Sequence, residues 1–387
     1  MKYQLEELSI ELSNRCLLKC LHCSSGSNKT FLPDELTMDE IFRLIREARD
    51  LGATVLSLSG GDPILVKNVY DVVDYAIRYG FERVLFYTTG IHAQFKPISW
   101  QDMFAGHWSN IDVGCNGMYD GYLNVFKHIP GAMDKLTFIY SLESHLRTVN
   151  DYLMGTPGAY DAIVWGIGNT IRAGFKVEVH MVPMLPNWHH VANMYGMCSA
   201  MGVSKLSLLR FVPQTRGYAN NRQLALNAAE FTELQYTIDN LITINNPRVE
   251  LRAGCPIDFR HTVFPKYPEK MHPCHAGTDL ILVRPHGDVH PCAAWKTLPE
   301  TDNVRDKSLQ EIWENGEVFL ALRKYHEGGW RDIQGACASC KYQASCKSGC
   351  PAQRMHALKL SGMRPTSTIK DLYVDAPDPL CPVARHI

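Results

Sequence analysis

Apolar and polar side chains alternate through Leu8-Ser9-Ile10-Glu11-Leu12, which predicts a strand running into a cysteine-bearing loop. Beyond it, short β-rich runs alternate with stretches of helical spacing. Strands are predicted over residues 54–58, 83–87, 136–141, 176–182 and 205–211, and helices over 38–49, 69–78, 159–172 and 190–201. Thr37 followed by Glu40 is a capping-box signal for the first of these helices. Met194, Met197 and Met201 recur at helical intervals and read as a core stripe. Repeated β-then-α order implies a parallel sheet with right-handed crossovers, and six such units suit a partial (β/α)6 barrel. In barrels of this type the active site lies at the C-terminal ends of the strands. The cysteine loop, Ser59-Gly60-Gly61-Asp62-Pro63 and Thr88-Thr89-Gly90 all follow strand ends, so one face collects them.

The pattern breaks in three places. About 45 residues separate Gly90 from the strand at 136, long for one connection. We read residues 91–134 as an insertion, carrying Trp100, Trp108, Cys115 and Gly117 and an extra strand at 110–113. Residues 214–250 are polar and largely helical. After Cys255 the cysteines become dense and hairpin signals appear. The expected organisation is therefore a barrel over 1–215, a helical bridge over 216–254, and a small cysteine-rich α+β domain over 255–387.

Composition narrows the function. The 387 residues are 45% hydrophobic, enough for an ample core. Net charge is −1, from 39 basic and 40 acidic residues, so no basic footprint for nucleic acid is present and no membrane surface is expected. The N-terminal residues form no signal peptide, and no apolar run approaches membrane-spanning length. Thirteen cysteines without a secretion signal point to a reducing, cytoplasmic setting and to metal ligation over disulfides.

Cys16, Cys20 and Cys23 are spaced C-x3-C-x2-C. Three thiolates can hold three corners of a four-iron, four-sulfur cube and leave the fourth iron open to a small molecule, whereas a ferredoxin cube has four cysteine ligands. Zinc knuckles arrive as paired C-x2-C units, which the first spacing here is not. The triad resembles the signature of the radical SAM superfamily. That resemblance implies a cluster whose open iron binds S-adenosylmethionine (SAM), cleaves it reductively and yields a 5′-deoxyadenosyl radical. The radical then takes hydrogen from a substrate carbon.

Further motifs fit the same family. Gly60-Gly61-Asp62-Pro63 resembles its GGEP motif, with Asp in place of Glu. Tyr140-Ser141-Leu142-Glu143-Ser144, with Asp151 through Gly158 after it, looks like its S-L-D-G … H-D-x-x-R-G-x-P-G stretch. Here Glu143, Ser144 and Asn150 replace Asp, Gly and His. The resemblance implies SAM contacts from His22, Gly60, Gly61, Asp62, Pro63, Thr89, Ser141 and Glu143. Arg210, read on the last barrel strand, requires an anionic partner if buried. The SAM carboxylate and a barrel Glu are both candidates.

The C-terminal cysteines carry the more specific pattern. Cys274 precedes Gly287-Asp288-Val289-His290-Pro291-Cys292, and Cys337-x2-Cys340-x5-Cys346-x3-Cys350 is followed by Cys381. This matches the seven-cysteine arrangement of SPASM domains, with Cys255 as an added upstream ligand. The resemblance implies two auxiliary [4Fe-4S] clusters beside the SAM-binding one. Cys255, Cys274, Cys292 and Cys350 would hold the first, and Cys337, Cys340, Cys346 and Cys381 the second. Only Cys115 and Cys198 of the thirteen are left over, and they read as buried small hydrophobes.

By the same resemblance the expected function is maturation of a ribosomally made peptide by crosslinking or oxidation, with a flavodoxin- or ferredoxin-type electron donor. The chain begins directly in its first strand, so a separate leader-peptide-binding protein is an expected partner. Oxidation of a sulfatase is an alternative. It would place an Asp directly after Cys292, where this chain has Ala293. A tetrapyrrole or other small-molecule substrate is another, and a non-catalytic iron–sulfur electron carrier is the alternative of a different class.

Overall fold

The first strand, β1 (Glu7–Ser13), shows why the barrel forms. Leu8, Ile10 and Leu12 face outward into the apolar core, while Glu7, Ser9 and Glu11 face the lumen. The same alternation recurs in β2 (Val55–Gly60), β3 (Arg83–Thr88), β4 (Leu136–Ser141), β5 (Lys176–Met181) and β6 (Lys205–Leu208). Their parallel register aligns Leu8 with Leu56, Leu56 with Val84, Leu58 with Phe86, Phe86 with Phe138 and Phe138 with Val177. This outward layer is covered by helices, among them Met38–Asp50, Val69–Arg78, Ala159–Arg172 and Val191–Met201. Each fully buried Leu or Phe contributes roughly 1.5–3 kcal/mol. The first helix starts with the expected capping box: Glu40 N–H donates to Thr37 Oγ1 and Thr37 N–H donates to the Glu40 carboxylate at 2.8 Å. Met194 is buried in the core, with Met197 and Met201 packed at its edge.

The computed structural model describes residues 3–91, 101, 118–244, 246–254, 258–264, 266–267, 274–297, 301–362, 369–373 and 376–383. Most of the expected insertion lies outside these, including the strand at 110–113, Trp100, Trp108, Cys115 and Gly117. Its last part forms helices Met118–Lys127 and Ala132–Lys135.

Two features extend the barrel beyond the sequence-based expectation. The segment read as a helical bridge contains Thr215–Ala219, Asn221–Leu224 and Ala228–Ile244. It then ends in β7 (Glu250–Ala253), which pairs in parallel with β6. On the other side β8 (Leu280–Val283) pairs in parallel with β1, and the antiparallel β9 (Asp288–His290) and β10 (Asp302–Asn303) continue from it. One ten-stranded sheet in the order β10-β9-β8-β1-β2-β3-β4-β5-β6-β7 thus runs from the cysteine-rich segment into the barrel. Gly287 closes the β8–β9 turn at φ +91°, where a Cβ would meet Asn303 Oδ1 at 2.7 Å. Strand β6 ends at Leu208, short of the expected 211. Beyond it the chain turns toward the C-terminal segment, where Arg210 meets Asp378.

Candidate active site and cysteine sets

The loop after β1 carries Cys16, Cys20 and Cys23. It closes on itself through Cys16 N–H to Asn28 O at 2.6 Å and Asn28 N–H to Asn14 O at 3.1 Å. Its outward carbonyls are capped from far along the chain. Arg216 donates to Cys20 O at 3.0 Å and Ser27 O at 2.6 Å, Asn220 donates to Leu21 O at 3.0 Å, and Thr215 Oγ1 donates to Cys23 O. Its inner edge pairs with the end of helix Arg147–Met154: Lys19 N–H to Met154 O at 3.2 Å and Leu21 N–H to Leu153 O at 2.9 Å. Gly155 permits that approach, since a Cβ there would lie 2.3 Å from Lys19 O.

Gly60 and Gly61 are required by the same loop. A Cβ on Gly61 would lie 2.0 Å from Arg15 O, and one on Gly60, at φ +115°, would lie 2.5 Å from Ser13 O. Gly61 N–H donates to Ser13 O and Asp62 N–H to Arg15 O, so the loop and the end of β2 are hydrogen-bonded together.

All three cysteines line one cavity of about 300 Å³ at the C-terminal end of the barrel, together with His22, Gly60, Gly61, Thr89, Ser141, Glu143 and Arg210. Asp62 and Pro63 sit behind this wall. The Asp62 carboxylate is buried and accepts from Thr88 Oγ1 at 2.7 Å, Thr89 Oγ1 at 2.6 Å, Thr89 N–H at 3.0 Å and Ile64 N–H at 3.2 Å. It ties the end of β2 to the end of β3; burial raises its pKa despite those donors. Pro63 starts the short turn Pro63–Leu65. Glu143 is held rigidly. Its Oε2 accepts from Val182 N–H at 2.8 Å, its Oε1 lies 3.1 Å from His22 Nε2, and its backbone N–H donates to Asn150 Oδ1. His22 Nδ1 is buried without a hydrogen-bond partner among the described residues, a polar atom available to a bound group. Asp151 accepts from Gly158 and Tyr160 N–H and thereby shapes the Asp151–Gly158 turn; burial pushes its carboxyl up to about 6.

The Arg210 guanidinium is engaged by Asp378, at 2.7 Å from Nη1 to Oδ2, with both side chains buried. Its anionic partner within the chain is thus a C-terminal aspartate, not a barrel Glu. Sequence reasoning had no signal for this pairing across 168 positions.

A second chamber of about 400 Å³ adjoins the first and shares its Ser24, Gly60, Thr89, Ser141 and His180 wall. Sequence reasoning missed it. Its lining includes Glu7, Ser9, Glu11, Tyr87, His180 and Lys296. Lys296 reaches in from the cysteine-rich segment and donates to Glu11 and to Ser25 Oγ at 2.8 Å, while Arg284 approaches Glu11 Oε2 at 3.3 Å. Burial would raise the Glu11 carboxyl, but the Lys296 and Arg284 charges outweigh it and hold the pKa at about 2. Burial, with Arg252 and Lys205 nearby, lowers His180 to about 3, so its ring is neutral. The polar face of β1 was the available signal for this lumen.

The C-terminal cysteines fall into two groups. Cys337, Cys340, Cys346 and Cys381 line one small cavity of about 30 Å³ with Tyr342, Ser348 and Asp378. Cys274, Cys292 and Cys350 lie near one another: burial first, then Cys274 and Cys350, raises the Cys292 pKa, and burial first, then Cys274, pushes Cys350 up to about 12. Cys255 lies outside the described residues. Cys198 is buried in the barrel core, away from these groups, and burial pushes its thiol up to about 12. Soft thiol sets of this kind suit iron–sulfur clusters.

Comparison with known proteins agrees with this architecture. Residues 10–198 match the model of the radical SAM superfamily, and residues 274–341 match that of an iron–sulfur cluster-binding domain, SPASM. This chain is a radical SAM enzyme with a SPASM domain. It is 24% identical over 357 residues to an AdoMet-dependent heme synthase of Methanosarcina barkeri, covering 89% of this chain and 90% of that one. It is 26% identical over 359 residues to the PqqA peptide cyclase of Xanthomonas oryzae pv. oryzae, covering 91% and 84%. Streptococcus suis SuiB, in a crystal structure bound to the precursor peptide SuiA, shares the fold at a TM-score of 0.68 and 18% identity, covering 92% of this chain and 74% of that one. No helix among the described residues is long and apolar enough to cross a membrane.

Proposed function

We propose that this enzyme modifies a side chain of a polypeptide, and that it carries three [4Fe-4S] clusters. Cys16, Cys20 and Cys23 would hold the SAM-binding cluster. Cys255, Cys274, Cys292 and Cys350 would hold one auxiliary cluster, and Cys337, Cys340, Cys346 and Cys381 the other. The grouping of the described cysteines into three neighbourhoods supports this division. When bound, the cluster and SAM together supply a radical able to take a hydrogen atom from an unactivated carbon. The chain's own residues orient and shield. Gly60 and Gly61 leave the wall free of side chains, Glu143 and His22 present a fixed polar edge, and Phe211, Val212 and Ala293 close the far side against water.

One observation carries the choice of substrate: the chamber beside the SAM cavity sets Glu7, Glu11, His180 and Lys296 among the apolar Leu209, Leu280 and Leu282. Such a wall suits one polar side chain threaded inward while its backbone stays outside. The PqqA peptide cyclase and the SuiA-bound SuiB are relatives or fold neighbours whose own partners are peptides. The heme synthase relatives, with similar identity and coverage, favour the tetrapyrrole as the second reading. Ala293 after Cys292 offers no carboxylate base, which disfavours sulfatase-type oxidation. A flavodoxin- or ferredoxin-type protein would deliver the electron, and a separate protein would bind a leader peptide.

An isotopic experiment separates the readings. The reduced enzyme is incubated with SAM and a peptide encoded beside its gene, deuterated at side-chain carbons, and deoxyadenosine is analysed by mass spectrometry. Deuterium transfer with loss of two hydrogens from the peptide is the expected result. Transfer from a tetrapyrrole and from no such peptide would overturn it.

A further inference from the structure

Asp378 occupies an unusual position. Its carboxylate binds Arg210 at the end of β6, and Arg210 lines the SAM cavity. The same carboxylate accepts from Cys350 N–H at 3.0 Å and Leu380 N–H at 3.0 Å, and its backbone carbonyl accepts from Cys381 N–H at 2.9 Å. Its side chain also lines the cavity of Cys337, Cys340, Cys346 and Cys381. Gly349 is required beside it, since a Cβ there would lie 2.5 Å from Asp378 Cβ. One buried residue therefore touches a candidate ligand of each proposed auxiliary set, Cys350 through its carboxylate and Cys381 through its backbone carbonyl, and, through Arg210, the wall of the reaction cavity.

We propose that Arg210 and Asp378 are a charge-balanced positioning pair that keeps the reduction potentials of the auxiliary clusters from being shifted by either charge alone. The inference rests on the cluster assignment made above. The physics is local charge. A cluster gains negative charge on reduction, so a nearby anion disfavours the reduced form and a nearby cation favours it, strongly where water is excluded. With both side chains no more than 2% exposed, their charges cancel only while both are present. The pair holds the auxiliary domain against the end of β6 and leaves its clusters near the potential their ligands alone would give.

The test is a charge cycle in the cluster-loaded enzyme. Asp378→Asn keeps the shape of the side chain and an acceptor for Cys350 N–H, but removes the carboxylate charge that faces Arg210. Arg210→Gln leaves Asp378 as a lone anion. The readout is potentiometric titration followed by electron paramagnetic resonance, with iron content measured on the same samples. Asp378→Asn should raise the ratio of reduced to oxidised auxiliary cluster at fixed potential by roughly tenfold, about 59 mV for a one-electron couple. Arg210→Gln should lower it by a similar factor, and the double variant should return close to the wild type. A purely structural pair would not move the two single variants in opposite directions. Shifts of the same sign, or no shift with iron intact, would overturn the pair's role alone. Wild-type protein that loads no auxiliary iron would overturn the cluster assignment and this role with it. Should Arg210→Gln fail to fold, Asp378→Asn against Asp378→Glu, which keeps the anion, still decides the sign.

Discussion

The triad proposed for the SAM-binding cluster and the cysteines proposed for the second auxiliary cluster offer the same ligand atoms in opposite settings. Cys16, Cys20 and Cys23 sit in a loop whose carbonyls are held by Arg216, Asn220 and Thr215, some 190 positions away. They face a wide cavity of mixed polar and apolar lining that continues into a second chamber. Cys337, Cys340 and Cys346 sit in short local turns, with Cys340 N–H bonded to Cys337 O and Cys346 N–H to Tyr342 O, around a space a tenth the size. An open cluster must admit SAM and substrate, so its loop has to be braced by the rest of the fold. A closed cluster needs only its own turns and Cys381. Access, more than ligand identity, separates the chemistry in the two places.

The largest effect that could break this comparison comes from removing the triad. Replacing Cys16, Cys20 and Cys23 together by Ala should abolish SAM cleavage and remove about a third of the iron, at four irons per cube. The auxiliary clusters should survive, because their turns do not depend on the β1 loop. Iron analysis with deoxyadenosine assay checks this, and loss of nearly all the iron would show that the two regions assemble as one.

A smaller change should strike only the brace. Gly61→Ala places a methyl 2.0 Å from Arg15 O, against backbone that cannot swing aside. It should destabilise the fold by about 1–3 kcal/mol and preferentially lower triad loading. Iron content after reconstitution and urea unfolding are the measurements. Equal loss from all three cysteine sets would contradict the localised effect.

The smallest effect sharpens the role of the SPASM lysine. Glu11 is held at about 2 against an ordinary 4.5, so the stability it contributes is complete above about pH 4.5 and is lost as pH falls toward 2. Glu11→Gln should be less stable at pH 7, with the gap to the wild type closing as pH falls through that window. Anaerobic tryptophan fluorescence during unfolding, run on both proteins in parallel, follows the gap. A gap independent of pH would mean that Lys296 and Arg284 do not hold Glu11 ionised.

Legibility followed the range of the interactions. The capping box at Thr37 and Glu40, the helix Ala159–Arg172 and the strand Leu136–Ser141 were readable because each is decided by neighbours in sequence. That Cys16, Cys20 and Cys23 would line one cavity was readable from their spacing, because a short loop keeps near neighbours together. Strands β7 and β8 were not, since four-residue strands pairing in parallel across long connections leave only a weak local trace. The glycines of the Gly60-Gly61 turn were expected for ligand approach. Their tightest neighbours are the Ser13 and Arg15 carbonyls, a packing reason that no motif states.

By itself the sequence determined the spacing of the candidate ligands and the order of α and β elements, because spacing and periodicity are one-dimensional properties. Only the tertiary structure decided which charges meet. Arg210 pairs with Asp378 and Glu11 with Lys296, and both pairs join the barrel to the C-terminal cysteine-rich segment. A buried charge takes whatever partner the packed fold brings within hydrogen-bonding distance, and that choice depends on every element between them.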